Sequence, residues 1–426
     1  MSLLRLLLSV AVSLAFVVLP GQAAAQDAPI AATANGPDPA ALRAIEAQVS
    51  ALRGLPAQAP VELRVLDQAG LQQYLTESFD RDYLPSEREA DQKELVALGL
   101  LKSTDDLVQI QMQLLQSQVI GVYDPDDKLM FVLDNAGAFG PAERITYAHE
   151  FNHALQDQYY DLNVVAPKHP VSNDRSLAAH AVVEGDAVLL QTLWAASNLT
   201  QDELLDVARS SATGDNTLSR VPLVVRTELL FPYIEGFSFV RQAYRAANGS
   251  YSAIDDILKR PPTSTSEIMH PERYAAGFKP VEVDLPDITP ILGSEWRKVG
   301  SGVLGELDTR VLLEQYGERG EASRVAAGWA GDKWLLLEKD GRTTIVLKSV
   351  WQSETQATAF FSAYKRGLRA RFPTALTEED SEVRQALTGP IVATDLRIGG
   401  NEVDAIIGFD RAGANDVIKA LSAGGS

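Results

Sequence analysis

The sequence of 426 residues contains no cysteine. This absence excludes disulfide bonds, thiolate metal ligands and a cysteine nucleophile. Basic residues are also scarce, because 38 lysines and arginines stand against 57 aspartates and glutamates, for a formal net charge of −19. A protein that neutralises nucleic-acid phosphates normally has a basic surface, so we expect no nucleic-acid partner. Hydrophobic residues make up 46 % of the chain, which is enough for a packed core.

Long apolar runs are absent from the sequence except at its N-terminus, where residues 6–19 form a run that is too short to cross a membrane. A membrane-spanning helix needs about 20 apolar residues. Ala23 and Ala25 follow this run and provide the small residues that precede a signal-peptide cleavage site. We therefore predict a signal peptide at residues 1–25 and a flexible leader at residues 26–39. The mature protein is then exported, periplasmic or secreted, without a membrane span.

The pattern of apolar residues changes along the mature chain. Helical periodicity dominates residues 40–290, and a hairpin signal interrupts it at residues 119–133. A proline-rich stretch then leads into the tail, residues 298–426, where the predicted element order is strand, strand, helix, strand, strand, helix (ββαββα). That order is typical of an antiparallel sheet covered by helices. We therefore predict an α+β protein with a mainly helical first domain, which contains a small sheet, and an antiparallel α+β second domain.

One pentapeptide carries recognisable chemistry: His149-Glu150-Phe151-Asn152-His153. Residues i and i+4 lie on one face of a helix, so both imidazoles can bind the same metal ion. Glu150 projects beside that face, where it can accept a proton from a water that the metal activates. Zinc is the expected metal, because imidazole and carboxylate ligands with one open position form the common catalytic zinc site.

A third protein ligand is expected further along the chain. The metzincin class would need Gly and His at positions that hold Gln156 and Tyr159, so that class is excluded. Glu184 is the expected ligand, in the manner of gluzincins, because an acid inside an Ala/Val/Leu helix must face something polar. His180 lies one turn earlier and is the alternative ligand, or else a group that orients a ligand or contacts substrate.

Other polar residues are candidates for supporting roles. Asp186 is expected to orient a ligand imidazole through its second nitrogen, although it could equally be a helix cap or a surface acid. Glu235 is a further candidate ligand. Metallopeptidases stabilise the developing oxyanion with a His or Tyr donor, and His270 and Tyr274 are available for that task. The alternative for this pair is a loop histidine with local partners and a packed tyrosine.

The motif and its surroundings resemble a family of uncharacterised, exported bacterial HExxH proteins, which are gluzincin-like zinc metallopeptidases. The similarity implies a zincin-like fold for residues 40–290, with His149, His153 and Glu184 on zinc and Glu150 catalytic, and it implies no particular substrate. The similar segments are His149–Gln158, Glu184–Ala187, Phe231–Tyr233, Thr265–Tyr274, Arg53–Leu55 and Gly328–Asp332.

Three functions are compatible with these residues. The first is an exported zinc metallopeptidase, in which the hairpin at residues 119–133 offers an edge strand to an extended peptide or protein substrate. The second is a non-catalytic envelope protein that binds a partner through its tail and has a structural or lost zinc site. The third is a zinc hydrolase that acts on other bonds. The tail is predicted to be a separate module without catalytic residues, or alternatively a scaffold that completes the core of the first domain.

Overall fold

A computed structural model describes residues 11–12, 38–118, 121–133, 139–168, 172–212, 217–408 and 410–424. The predicted signal peptide, apart from Ala11–Val12, and the predicted leader up to residue 37 lie outside the described residues. The described chain has an α+β architecture with two sheets. No helix within these ranges is both long enough and apolar enough to cross a membrane.

A small sheet lies in the N-terminal part of the chain. Its strands run across the sheet in the order β1-β3-β4-β2, with β2 parallel to β4 and the other pairs antiparallel. The predicted hairpin is present as β3 and β4, and Asp124 accepts hydrogen bonds from the backbone of Asp126 and Asp127 in its turn. The strands are β1 (Ala11–Val12), β2 (Glu62–Leu66), β3 (Gly121–Asp124) and β4 (Leu129–Leu133).

Helices make up the rest of the N-terminal part that the structure describes, and a π-helical turn at Pro232–Gly236 interrupts their series between α10 and α11. They are α1 (Pro39–Arg53), α2 (Gln68–Asp82), α3 (Pro85–Leu98), α4 (Leu107–Gln118), α5 (Pro141–Tyr160), α6 (Leu162–Val165), α7 (Asn173–Asn198), α8 (Gln201–Ala212), α9 (Thr217–Arg220), α10 (Leu223–Phe231), α11 (Phe237–Ala246), α12 (Ser252–Lys259), α13 (Thr265–Met269), α14 (Pro271–Ala275) and α15 (Thr289–Leu292).

Two of these helices, α5 and α7, form the centre of the first part. Helix α5 begins at Pro141, a position where the missing N–H has no intrahelical partner to lose. Helix α7 is 26 residues long and begins after Ser172, whose side chain accepts a hydrogen bond from the backbone N–H of Arg175. Its middle is buried on every side, as expected for a helix that is apolar all round.

A seven-stranded antiparallel sheet dominates the C-terminal part, in the order β5-β6-β7-β11-β10-β9-β8. The strands are β5 (Arg297–Gly302), β6 (Trp329–Lys339), β7 (Arg342–Trp351), β8 (Leu376–Asp380), β9 (Arg384–Gly389), β10 (Val392–Gly399) and β11 (Glu402–Gly408). The helices of this part are α16 (Gly305–Glu314), α17 (Arg319–Ala326), α18 (Glu354–Arg371) and α19 (Arg411–Gly424).

The predicted ββαββα order is present as β6, β7, α18, β10, β11 and α19. As a list of all elements in the tail the prediction was wrong, because it was incomplete. Strands β5, β8 and β9 also belong to the sheet, and helices α16 and α17 precede β6. The two edge strands escaped the sequence pattern because an edge strand can carry mostly exposed polar side chains. The burial along β8 and β5 shows this, since neither has a fully buried residue.

The two parts of the chain share their largest hydrophobic cluster, which includes residues from Leu71 to Ile407. Polar contacts cross the same boundary. The Arg371 guanidinium donates to the carbonyl oxygens of Val96 and Ala97 at 3.0 and 2.9 Å, and Lys93 pairs with Glu338. A second cluster packs α1 against α5 and the end of α7, directly behind the pentapeptide motif. Independent folding of the tail remains a prediction.

Candidate metal centre

Three side chains from the two central helices converge. His149 and His153 on α5 bring their Nε2 atoms to within 3.0 Å of each other. Oε2 of Glu184 on α7 lies 3.2 Å from Nε2 of His149 and 3.5 Å from Nε2 of His153. All three residues are buried. Among the described residues, they form the one group of three or more potential metal ligands with mutually close ligand atoms. We call them the histidine–glutamate cluster.

The spacing of the histidine–glutamate cluster suits a zinc ion. Zinc bonds of about 2.0–2.2 Å in tetrahedral geometry hold neighbouring ligand atoms about 3.3–3.5 Å apart. The three measured separations, from 3.0 to 3.5 Å, lie close to that range. Two imidazole nitrogens and one carboxylate oxygen leave one tetrahedral position open, as in catalytic zinc sites. The donor set therefore fits zinc in chemical type and in spacing.

The second nitrogen of each imidazole is held by a glutamine. Nδ1 of His149 lies 2.8 Å from Oε1 of Gln191, and Nδ1 of His153 lies 2.8 Å from Oε1 of Gln156. An amide oxygen only accepts hydrogen bonds, so these partners assign the proton of each neutral ring to Nδ1. The Nε2 lone pairs of both rings are therefore directed at the cluster, as metal ligation requires.

A buried ion pair continues this network behind His153. The amide nitrogen of Gln156 donates to Oδ2 of Asp186 at 2.8 Å and to the carbonyl oxygen of Val183 at 3.0 Å. Nε of Arg53, the last residue of α1, donates to the same Asp186 oxygen at 3.1 Å. Asp186 therefore reaches His153 through Gln156, and not through the direct hydrogen bond that the sequence suggested.

The electrostatics of the cluster favour a positive charge at its centre. Burial opposes protonation of His153, but the Glu184 and Glu150 carboxylates outweigh it and raise the pKa of His153 to about 9. Burial would raise the pKa of Glu184, yet the two histidines lower it to about 2. In both cases the stabilised form is the one that places opposite charges together. A divalent cation would satisfy the same preference.

Tyr233 is a further member of this environment. Burial raises the pKa of its hydroxyl well above the usual value, and the charges of Glu184 and Glu150, together with a hydrogen bond to Glu184, act in the same direction. Tyr233 lies on the π-helical turn, a rare geometry that is frequent at functional sites.

Two glycines bring that turn against α7. A methyl group at Gly185 would lie 2.5 Å from the backbone of Gly236, and one at Gly236 would collide with the carbonyl oxygen of Ala181. The two backbones are therefore in direct contact, which only residues without a side chain allow. This contact sets Tyr233 beside Glu184, the residue that precedes Gly185.

Glu150 lies between the cluster and the small sheet. Its carboxylate contributes to the pKa shifts of both His153 and Tyr233, which places it near them. A methyl group at Gly121, the first residue of β3, would lie 3.4 Å from Cγ of Glu150 and 2.6 Å from Cγ2 of Thr146. The absence of a side chain at Gly121 thus lets β3 run close beside Glu150.

The remaining sequence candidates lie outside the histidine–glutamate cluster. His180 is buried on α7, and its Nδ1 is 2.7 Å from the carbonyl oxygen of Ser176. Glu235 is partly exposed on the π-helical turn. Of the three acidic or imidazole candidates for the third ligand, the structure brings Glu184 to the two histidines.

His270 and Tyr274 have partners elsewhere. Nε2 of His270 lies 2.7 Å from Oε1 of Glu306 on α16, and Arg273 binds the other oxygen of the same carboxylate at 2.8 Å. The Tyr274 hydroxyl donates to the carbonyl oxygen of Arg260 at 2.9 Å. These hydrogen bonds hold α13 and α14 against their neighbours, and they do not lead to the cluster.

Sequence reasoning missed the roles of Gln156, Gln191 and Tyr233. Each glutamine carried a signal, because both are amides inside buried helices and each is spaced to face the motif. Gln156 follows His153 by three residues on α5, and Gln191 follows Glu184 by seven residues, or two turns, on α7. Tyr233 lies in Phe231–Tyr233, one of the segments similar to the HExxH family, but its place beside Glu184 depends on the packing of the π-helical turn.

Comparison with known proteins does not identify the chemistry of this site. Residues 294–417 match a family described as a domain of unknown function (DUF8575). No curated protein and no solved structure matches the chain. The matched region contains all seven strands of the C-terminal sheet and none of the histidine–glutamate cluster, so the match assigns no chemistry to the cluster.

Proposed function

We propose that this protein is an exported zinc metallopeptidase with a zincin-like catalytic part. The observation that carries the proposal is the convergence of the Nε2 atoms of His149 and His153 with Oε2 of Glu184, with Glu150 beside them. His149, His153 and Glu184 would hold the ion. Bound zinc would supply Lewis acidity that lowers the pKa of a water and polarises a substrate carbonyl.

The side chains around the ion account for the proton transfers of peptide hydrolysis. Glu150 accepts a proton from the attacking water and later gives it to the leaving amine, as a general base and then a general acid. The Tyr233 hydroxyl, which hydrogen-bonds Glu184, is the proposed donor to the developing oxyanion, because a high pKa keeps it a hydrogen-bond donor at neutral pH. It takes the role that the sequence suggested for His270 or Tyr274.

The edge of β3 is the proposed place for an extended substrate. In the structure Ala11 pairs with Tyr123 and Val12 with Val122, both antiparallel, so this edge accepts an added strand. A peptide on the same edge would pass close to Glu150. The four residues His149, Glu150, His153 and Glu184 are each at most 2 % exposed, so the substrate would reach them along this edge, which is free once export has removed the predicted signal peptide with β1.

The test combines metal analysis with a protease assay on the exported chain. We expect about one zinc per chain, cleavage of a general protein substrate such as casein, loss of cleavage with a chelator and recovery with added zinc. Glu150→Gln keeps the shape of the side chain but removes the base. It should retain zinc and lose turnover by about 10²–10⁴-fold.

Two outcomes would contradict the proposal in different ways. A protein that binds no zinc would remove the metal site itself. Stoichiometric zinc, with no hydrolysis of peptides and no effect of Glu150→Gln, would favour the alternative of a non-catalytic envelope protein with a structural zinc site. Hydrolysis of other bonds, lost with Glu150→Gln, would retain the zinc chemistry but correct the substrate class.

A further inference from the structure

A buried arginine at the end of α1 is linked to the histidine–glutamate cluster through Asp186 and Gln156. Arg53 is only 2 % exposed, although it ends α1. Its Nε binds Asp186, its Nη1 lies 2.7 Å from Oδ1 of Asp255, and its guanidinium carbon lies 4.5 Å from the centre of the Tyr251 ring. The guanidinium thus sits between two carboxylates and over an aromatic face, which compensates for its removal from water.

Asp186 dictates the orientation of the Gln156 amide. The Asp186 carboxylate and the Val183 carbonyl are both acceptors, and both face the same end of the Gln156 side chain. Only the NH2 group of an amide can donate to two acceptors, so that end must be nitrogen. A flipped amide would place its oxygen against two other oxygens and lose both hydrogen bonds.

The orientation of Gln156 in turn dictates the protonation of His153. With its nitrogen turned to Asp186, Gln156 directs its oxygen at Nδ1 of His153, 2.8 Å away. That oxygen needs a donor, so the neutral His153 ring carries its proton on Nδ1 and its lone pair on Nε2. A flipped Gln156 would instead donate to Nδ1 and move the proton to Nε2, where it would block metal ligation.

We propose that Arg53 and Asp186 are positioning residues that act through Gln156 to hold His153 in the Nδ1–H form and so present Nε2 to the histidine–glutamate cluster. Arg53 fixes the carboxylate of Asp186, Asp186 fixes the amide of Gln156, and the amide fixes the ring. The inference rests on the proposed function only in assigning a purpose to the tautomer, because the tautomer itself exists without metal.

His149 provides an internal comparison. Its Nδ1 hydrogen bond goes to Gln191, which lies outside the Arg53–Asp186–Gln156 series. A change in that series should therefore alter His153 and leave His149 in its original form. A general loosening of the helices would alter both rings.

The test uses the full chain with ¹⁵N-labelled histidine and reads the protonation of each ring nitrogen by NMR in metal-free protein. The pH series extends to alkaline pH, where both rings are neutral and the position of the remaining proton can be read. His149→Gln and His153→Gln assign the two sets of signals. In the wild-type protein we expect Nδ1–H for both rings.

The decisive variant is Arg53→Met with Asp186→Leu, which removes the ion pair without stranding one buried charge. We expect His153 to move partly or fully to the Nε2–H form, His149 to keep Nδ1–H, and zinc affinity to fall about 10–100-fold in a chelator competition. The single variant Asp186→Asn retains an oxygen that can accept a hydrogen bond from Gln156. It should therefore keep most of the Nδ1–H form of His153 and most of the zinc affinity.

The inference is overturned if the double variant folds, as judged by circular dichroism, and His153 keeps the Nδ1–H form. If the double variant does not fold, Gln156→Leu removes the amide through which both residues act and keeps the ion pair, and the inference is overturned if His153 in that variant keeps the Nδ1–H form. If the wild-type protein binds no zinc but the double variant shows the predicted tautomer change, the proposed function alone is defeated, so the two failures are distinguishable.

Discussion

At the scale of single residues, the side chains in and around the histidine–glutamate cluster differ in what they could contribute to a metal site. His149, His153 and Glu184 offer lone pairs to one point, Glu150 lies beside them, and Tyr233 adds a hydroxyl from another segment. Because these side chains are buried, each has few alternative partners and its chemistry is set by the others. Single substitutions should therefore give distinct effects on metal binding and on turnover.

The third ligand can be identified by comparing Glu184→Gln with His180→Gln. Removing the Glu184 charge should weaken zinc binding by more than the roughly 10–100-fold typical of a group that only supports a ligand. His180 is not among the three residues whose ligand atoms converge, so its substitution should weaken zinc binding far less than that of Glu184. Chelator competition measures both. The reverse ranking would make His180 the ligand.

The proposed oxyanion role of Tyr233 can be tested by comparing Tyr233→Phe with Tyr274→Phe. Both substitutions remove one hydroxyl and keep the ring. Loss of a donor to the oxyanion lowers kcat by about 10²–10³-fold, which we expect for Tyr233→Phe with zinc content retained. Tyr274→Phe should leave kcat close to the wild-type value, because its hydroxyl binds the Arg260 carbonyl. Equal effects would count against this assignment.

At the scale of elements, the site depends on close backbone contact between α7 and the π-helical turn. Both Gly185 and Gly236 lie in this contact, and the carbonyl oxygen of Ala181 occupies the space where a side chain at Gly236 would be. The contact fixes the distance between the helix that carries Glu184 and the turn that carries Tyr233. Overpacking here should therefore disturb both stability and the site.

Gly236→Ala should lower the free energy of unfolding by about 1–3 kcal/mol, because the obstructing atom belongs to the backbone and cannot rotate away. Gly320→Ala is the matched control, since Gly320 lies in helix α17 with open space around it. That change should be neutral or stabilise by up to about 1 kcal/mol. Denaturant titration measures both variants, and a neutral Gly236→Ala would show that α7 and the turn can separate freely.

At the scale of the whole molecule, buried acids lie where the two parts of the chain meet. Burial raises the pKa of Glu94 on α3 to about 8, of Asp174 on α7 to about 7 and of Asp332 on β6 to about 6. Neighbouring acids add to the shift of Glu94, including Asp332 itself. These carboxyl groups bind protons more tightly in the folded chain than in the unfolded one.

Stability should consequently decline as pH rises from about 4, the usual pKa of these carboxyl groups in an unfolded chain, to about 8, the highest of the three folded-state pKa values. A group with a raised pKa in the folded state contributes stability that is complete below its unfolded pKa and is lost as pH passes the folded pKa. Each titrating group changes the free energy of unfolding by up to about 1.4 kcal/mol per pH unit. Denaturant titration at a series of pH values measures the slope.

Glu94→Gln is the control for this pH dependence, because it keeps the shape of a neutral, protonated Glu94. The variant should show a shallower decline between about pH 4.5 and pH 8, the interval in which the folded chain keeps the Glu94 proton and the unfolded chain has lost it. If the free energy of unfolding changes with pH as steeply in the variant as in the wild-type protein, Glu94 is not a source of the pH dependence.

The sequence by itself determined the local structure around the motif. The i, i+4 histidine spacing and Pro141 define α5, and apolar runs around the Asp124 turn define the hairpin beside it. These features depend on neighbours within a few residues, so one chain is enough to predict them. The same reasoning missed the edge strands β5 and β8, because their side chains are mostly solvent-exposed and follow no apolar pattern.

Tertiary structure alone decided how the cluster is assembled. Glu184 and His180 lie one turn apart on α7, and both were candidates for the third ligand. The crossing of α7 with α5 turns Glu184 to the two histidines, and the contact with the π-helical turn adds Tyr233. Arg53 joins the same site from more than a hundred residues away in sequence. A helix crossing depends on side-chain packing between distant segments, and the local pattern of one sequence does not specify it.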